Sequence, residues 1–274
     1  MKFEIVTIFP DFFRGPLDYG IVRKAREAGL IEISIHDLRD FTSDRHKTVD
    51  DRPFGGGEGM VLKPDPIFAC VESLGVTSRE QRTAHDSVET VVLLSPQGRI
   101  FNQSVALELA KLERLVLLCG RYEGVDERVA ENLADQEVSV GDYILSGGEM
   151  AAAIMVDTIT RLVPGALGNA ASAQQESFTA GGSKDAMPGC DRPDSTCASG
   201  GLLDYPHYTR PAEFRGAAVP EVLMGGNHEQ IRRWRRKKAL EKTLRNRPDL
   251  LEKQPLSAED KNLLKEISNL KFRI

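Results

Sequence analysis

The sequence predicts an α/β fold built on a parallel sheet, followed by a smaller helical domain. Short β-rich apolar runs alternate with helix-like segments before Pro164, which is the pattern of βα units. Two of these runs, residues 89–94 and 114–119, are mostly apolar, as expected for strands buried on both faces of a parallel sheet. Beyond Pro164 the strand pattern stops, and a connector rich in small residues leads to two further helices.

The elements of the larger domain follow from apolar runs, their spacing and their boundaries. The predicted strands are residues 2–9, 31–36, 89–94, 114–119 and 138–140. The predicted helices are residues 19–28, 103–111, 126–134 and 148–162. The last three strands each end at a glycine-bearing turn. Because the carboxyl ends of parallel strands meet at one edge of a sheet, these turns form one rim, where open α/β sheets bind ligands.

A change in composition divides the chain. Residues 1–167 form the predicted α/β domain. Residues 168–200 are rich in Ala, Gly, Ser and Gln and predict a mobile linker. Residues 201–274 form a small helical domain, with helices near 229–244 and 258–270.

Length and composition exclude several classes of protein. Of 274 residues, 41% are hydrophobic, which is enough for one or two packed cores and argues against disorder. No run approaches the roughly 20 apolar residues of a membrane span, and the first residues read as a strand rather than a signal peptide. We therefore expect a cytoplasmic protein with no membrane segment. Cys190 and Cys197 lack the spacing of a zinc site and are expected as free thiols, so no metal site is predicted.

The net charge of −5 combines two unlike parts: residues 201–274 carry +6, which leaves −11 for residues 1–200. Residues 228–247 hold nine basic and two acidic residues, and such cations repel one another unless phosphates neutralise them. This helix therefore predicts contact with a nucleic acid. Trp234 lies within it, and its ring is expected to face the small domain's core. The arginines expected to point outward to phosphates are Arg232, Arg233, Arg235 and Arg236.

Three loops mix glycine with charged or aromatic residues, as a small-molecule pocket does. They are residues 95–99, 119–126 and 140–149. One such loop would indicate little, because tight turns need glycine anyway, but three together favour a ligand site. Residues 52–60, RPFGGGEGM, lack the lysine of a phosphate-binding P-loop. Their four glycines would let the backbone approach a ligand closely, but a plain flexible loop explains them equally well.

Two further features have two interpretations each. Asp157 and Arg161 are four residues apart on a predicted helix, a spacing that favours a surface ion pair. Residues 204–211, DYPHYTRP, surround His207 with aromatic and hydrogen-bonding groups. This segment either stacks on bases or ribose, or packs as a connector.

Nine motifs in the same order resemble those of the bacterial tRNA (guanine-N1)-methyltransferases of the SPOUT superfamily. They are RPFGGGEGM, LLSPQGR, LLCGRYEGVDERV, VSVGDYILSGGEM, PGALGN, ESF, GLLDYPHYTRP, VPEVLMGGNH and RPDLL. The resemblance implies a sheet tied in a deep trefoil knot, a rare exception among folds. It also implies methyl transfer from S-adenosylmethionine to N1 of the guanine 3′ of the tRNA anticodon (position 37), preceded by guanine.

The resemblance implies the site residues as well. The three glycine-bearing loops would form the knot and hold the methyl donor in a bent shape. The implied S-adenosylmethionine contacts are Ser95, Pro96, Gln97, Gly120, Glu123, Val140, Gly141, Asp142, Tyr143, Ile144, Leu145, Gly147 and Gly148.

Two residues carry the implied chemistry. Guanine N1 holds a proton in its neutral form and must lose it as the methyl group transfers, and a carboxylate within hydrogen-bond reach can accept that proton. The resemblance places this base at Glu176, where the family typically has aspartate. Charge then builds on O6, and the implied partner is Arg161, which replaces the surface ion pair that its spacing favours.

The resemblance further implies a homodimer in which each site takes groups from both subunits, with tRNA held by His207 and the basic helix. It is compatible with Mg²⁺ as an assisting ion. Residues 181–199 depart from the family as an insertion without a functional account. Two other functions stay open: a methyltransferase for another RNA site, and a non-catalytic RNA-binding SPOUT homologue.

Overall fold

A computed structural model of the chain describes residues 1–83, 87–168, 176–178 and 201–271. These residues belong to two compact units, Met1–Gly168 and Asn169–Ile274. Within the described ranges, no helix is long and apolar enough to cross a membrane. Cys190, Cys197 and the insertion predicted at 181–199 lie outside the described residues.

The larger unit is a five-stranded parallel sheet with helices on both faces, in the strand order β2-β1-β6-β5-β7. The α/β class is therefore confirmed, as is the helical C-terminal part. The strands of the larger unit are β1 (Lys2–Thr7), β2 (Glu32–Asp37), β3 (Asp50–Asp51), β4 (Val61–Leu62), β5 (Glu89–Ile100), β6 (Arg114–Cys119) and β7 (Gln136–Ser139), of which β3 and β4 form a separate two-stranded sheet. Its α-helices are α1 (Gly20–Glu27), α2 (Pro64–Ser73), α3 (Arg79–Arg82), α4 (Gln103–Leu109), α5 (Glu127–Asn132) and α6 (Glu149–Thr160).

Alternation along β6 explains why the sheet is covered on both sides. Leu115 and Leu117 face one core, where they join residues of α1, α4 and α6. Val116 and Leu118 face a second core with residues of α2 and α5. Successive side chains of a strand point to opposite faces, so a continuous apolar run requires two covered faces.

The end of β5 differs from its prediction. The sequence predicts a turn after Leu94, but the strand continues to Ile100 with an irregularity in its pairing. Leu94 and Arg99 both pair with Val138 of β7, so the four residues between them loop out of the ladder. Proline has no N–H to donate to a ladder, which makes Pro96 compatible with this excursion. The loop keeps its predicted place at the sheet edge without ending the strand.

Helix α2 is a further element that the sequence analysis did not predict. It begins at Pro64, a residue suited to the first helical position. Ile67, Cys70 and Val71 form its buried face at helical spacing. Both signals are therefore present in the sequence.

The smaller unit is mainly helical. Its elements are the hairpin strands β8 (Glu213–Phe214) and β9 (Ala217–Ala218) and the helices α7 (Glu221–Met224), α8 (His228–Asn246), α9 (Asp249–Lys253) and α10 (Ala258–Lys271). Its core gathers Leu240 of α8 with Leu263 and Ile267 of α10 and with Leu202. Trp234 is not part of this cluster but half-buried on another side of α8, so its predicted core position was wrong.

Candidate functional site

The three glycine-bearing loops surround one cavity of about 570 Å³, which lies at the carboxyl ends of β6 and β7 and beside the interruption of β5. This volume falls within the range of about 300–1,000 Å³ that is typical of small-molecule pockets. Asp142 is exposed and does not line the cavity. The other twelve residues named for the methyl donor do: Ser95, Pro96, Gln97, Gly120, Glu123, Val140, Gly141, Tyr143, Ile144, Leu145, Gly147 and Gly148.

Backbone contacts join the second and third loops. Gly148 N donates to Gly120 O at 2.9 Å, and Arg121 pairs with Gly147 in an antiparallel bridge. A Cβ on Gly148 would lie 2.8 Å from Cys119 Cα, so only glycine fits this close approach. The two loops therefore form one wall of the cavity.

A buried carboxylate supports this wall. Glu149, the first residue of α6, is 1% exposed and accepts hydrogen bonds from Thr7 Oγ1 at 2.8 Å and from Arg121 Nε at 3.0 Å. The Arg121 guanidinium lies 4.6 Å from the centre of the Phe9 ring. Glu149 thus connects β1, the loop after β6 and the start of α6. The sequence analysis missed this residue.

The RPFGGGEGM segment supports the second loop. Glu123 N donates to Met60 O at 3.0 Å, and Leu62 N donates to Gly124 O at 3.0 Å. Gly59 has φ +83°, and a Cβ there would collide with the Glu123 side chain. The segment therefore holds Glu123 beside the cavity. This role differs from that of a P-loop and from that of a plain flexible loop.

Cys119 ends β6 next to the cavity. Burial raises the pKa of its thiol well above the usual value. A thiol that stays protonated is a poor nucleophile. Burial therefore favours the protonated, weakly nucleophilic form of Cys119.

The two residues named for catalysis belong to different units. Arg161 follows the last residue of α6 and is half-buried. Glu176 is also half-buried, and its neighbours are fixed within the smaller unit. Ser177 Oγ accepts from Asp204 N at 2.9 Å, and Phe178 N donates to Leu202 O at 3.0 Å.

The chain matches the family described as tRNA (Guanine-1)-methyltransferase TrmD over residues 1–253. It belongs to this family. Relatives carrying the name tRNA (guanine-N(1)-)-methyltransferase occur in Koribacter versatilis (66% identical over 97% of this chain and 98% of the relative) and in Dictyoglomus turgidum (50% over 97% and 96%). Another, from Geobacter metallireducens, is 49% identical over 97% of this chain and 98% of the relative. The resemblance in the motifs is confirmed.

In the smaller unit, acidic residues of α10 pair with several of the basic residues of α8. Arg232 Nη1 lies 3.0 Å from Glu259 Oε2, and Arg236 Nε lies 2.7 Å from Asp260 Oδ1. Burial raises the pKa of Asp260, but hydrogen bonds from Arg236 and Ser257 outweigh it and keep that pKa below its usual value.

Glu266 of α10 pairs with both Arg233 and Lys237. The premise that these cations repel one another until phosphates arrive was therefore wrong. The charge count over residues 228–247 omits helix α10, which begins at Ala258 and packs against α8. Nucleic-acid contact by these arginines stays a prediction.

Arg235 differs from its neighbours. Within the described part of the chain it has no carboxylate partner, and its guanidinium lies 4.9 Å from the centre of the Tyr205 ring. His207 Nε2 lies 2.8 Å from Asp204 Oδ2, and its side chain is two-thirds exposed. Arg235 and His207 are thus two predicted RNA contacts that are exposed and lie beside the same ring, that of Tyr205.

Magnesium has no ligand set in the described ranges. No group of three or more His, Cys, Asp or Glu side chains there is arranged to hold a metal ion. Mg²⁺ held by fewer protein ligands together with RNA phosphates stays compatible with the resemblance.

Proposed function

We propose that this protein methylates N1 of the guanine 3′ of the tRNA anticodon, in the cytoplasm, with S-adenosylmethionine as the donor. The observation that carries the proposal is the cavity formed by the three loops in a chain of this family. The larger unit would hold the donor, and the smaller unit would bind tRNA. The names of the relatives support the reaction and the substrate.

The cavity suits the donor chemically. Gly120, Gly147 and Gly148 bring backbone close to the cavity, and Ile144 and Leu145 add apolar side chains. Glu123 lines the same space, and its carboxylate would attract the positive charge of the sulfonium. S-adenosylmethionine supplies an electrophilic methyl group when bound.

Two side chains would carry the proton and charge transfer. The Glu176 carboxylate accepts the N1 proton of guanine, which leaves the ring nitrogen as the nucleophile for the methyl carbon. Negative charge moves to O6 as the proton leaves. The Arg161 guanidinium stabilises that charge, and the exclusion of water strengthens this interaction.

The chain would tie the trefoil knot of its superfamily and form a homodimer. The hydrogen bond from Gly148 to Gly120 supports close passage of the third loop by the second. Ile144, Met150 and Ile154 are 82%, 52% and 41% exposed, an apolar surface beside the cavity that suits a second subunit.

Sedimentation equilibrium should therefore give twice the chain mass of 30.2 kDa. Ile154→Glu should shift the protein to monomer and abolish methyl transfer, since a buried charge is costly at an interface. Val88→Glu, at another exposed apolar position, should leave the mass unchanged. A monomeric wild type with full activity would contradict the dimer.

Gly148→Ala should weaken S-adenosylmethionine binding by at least about tenfold, measured by calorimetry. The added methyl group would push Gly148 away from Cys119 and move the wall formed by the second and third loops. Gly168→Ala is the matched control, because nothing lies within 4 Å of a Cβ there. Equal donor affinity in the two variants would show that this wall does not hold the donor.

Methyl transfer to tRNA transcripts tests the proposal as a whole. One transcript carries guanine as the last nucleotide of the anticodon and as the nucleotide that follows it. In a second transcript the first of these two guanines is replaced. Methylation at N1 of the predicted guanine, reduced in the second transcript, is the expected result. Methylation elsewhere favours another RNA target, and absence of donor binding favours a non-catalytic RNA-binding protein.

A further inference from the structure

The smaller unit contains a second cavity, which the methyl-transfer mechanism does not use. It has a volume of about 390 Å³ and lies between residues 205–212 and the helices α7 and α8. We call it the aromatic pocket. Its ring-bearing residues are Tyr205, His207, Tyr208 and Trp234.

The rings of the aromatic pocket are arranged in two pairs. The centres of Tyr205 and His207 are 4.7 Å apart, and those of Tyr208 and Trp234 are 6.2 Å apart. Tyr208 is half exposed, and Trp234 is half-buried. Flat π surfaces therefore remain open to the pocket, unlike the packed leucines of the neighbouring core.

The permanently charged side chains that line the aromatic pocket are both basic. Arg210 and Arg235 line it, and no acidic residue does. Three neighbouring arginines of α8 are ion-paired with carboxylates of α10, which offset their positive charge. No such carboxylate among the described residues offsets the charge of Arg235. A ligand with π faces next to negative charge matches these features.

We propose that the aromatic pocket binds an unstacked base of the substrate RNA, distinct from the guanine that is methylated. Proteins read single-stranded loops by stacking splayed bases on aromatic rings and arginine planes, while cations contact the phosphates. The aromatic pocket shares no lining residue with the donor cavity, and neither Glu176 nor Arg161 lines it, so we assign it to a nucleotide other than the methylated guanine. The inference rests on tRNA as the substrate.

Trp234 is the only tryptophan of the chain, which makes its fluorescence a direct reporter of the pocket. An unmodified tRNA transcript titrated into the full-length protein should quench this fluorescence in a saturable manner. Heparin, a polyanion without bases, is the control and should leave the emission unchanged. Binding of the transcript and of heparin to the protein is followed independently, by the fluorescence anisotropy of a label on each of these two ligands.

Tyr208→Ala should weaken transcript binding by about tenfold, because loss of one stacked base contact has an effect of this order. Tyr208→Phe should restore the affinity, since it keeps the ring. Phe214→Ala removes a similarly exposed ring outside the pocket and should change nothing. The tRNA KM should rise in Tyr208→Ala with kcat nearly unchanged.

Two results would overturn the inference. One is saturating transcript binding without any change in Trp234 emission. The other is a Tyr208→Ala variant that alters the sedimenting mass but not RNA affinity, which would assign the pocket to a protein contact. Methylation of the predicted guanine with silent Trp234 rejects the pocket alone, whereas quenching without methylation rejects the proposed reaction and keeps the pocket.

Discussion

Glu176→Gln is expected to lower the single-turnover rate of methyl transfer by about 10²- to 10⁴-fold, the usual contribution of a general base. Glutamine preserves the size of the side chain and one carbonyl acceptor, but it cannot take the N1 proton. Affinity for tRNA and for S-adenosylmethionine should change little. Rapid-quench single-turnover assays with saturating enzyme separate the chemical step from binding.

Glu176→Asp is the informative control, because the resemblance in the motifs implies aspartate at this position. The carboxylate is retained on a side chain shorter by one methylene, and the contacts of Ser177 and Phe178 with residues 202–204 keep the backbone in place. Its rate should stay within about tenfold of the wild type, since a misplaced base loses only part of its effect. If Glu176→Gln keeps the wild-type rate, the base lies elsewhere.

Much of the fold could be predicted from local sequence signals. The apolar composition of β6 predicts that both of its faces are buried, and glycine turns mark the ends of β6 and β7. Helix α8 differs from its predicted range by one residue at its start and two at its end. These features depend on residues near one another in the chain.

The features that could not be predicted depend on pairing between distant residues. The pairing of Arg233 and Glu266 joins residues 33 apart in sequence, and that of Glu149 and Thr7 joins residues 142 apart. Trp234 illustrates the same limit. Spacing placed it on one face of α8, but whether that face meets the core depends on where α10 packs.

The candidate site shows a similar division. Glycines next to Glu123 and Tyr143 indicated a pocket, and the resemblance supplied a role for each residue. No sequence signal indicated Glu149, because an acidic residue at the start of a helix is common for its favourable interaction with the helix dipole. Its burial and its partner Arg121 emerge only from the fold.

Glu149→Ala should therefore affect stability and donor binding together. Removing one partner of a buried ion pair leaves an uncompensated charge, and the free energy of unfolding should fall by about 3 kcal/mol. This value is at the lower end of the usual range because the Arg121 side chain is 21% exposed. Urea denaturation followed by circular dichroism measures the change.

Glu149→Gln should lose less stability than Glu149→Ala, because an amide oxygen still accepts one hydrogen bond from Thr7 or Arg121. Asp11→Ala removes a carboxylate from an exposed pair with Arg14 and should leave stability almost unchanged.

S-adenosylmethionine affinity distinguishes a structural role of Glu149 from a role in the site. Arg121 lines the cavity, and Gly147 pairs with it, so an unanchored Arg121 should loosen the wall formed by the second and third loops. We expect the donor affinity of Glu149→Ala to fall along with its stability. The affinity is measured without urea, at a temperature at which the variant is fully folded. A variant that is less stable but binds the donor as the wild type does would show that Glu149 supports the fold without shaping the pocket.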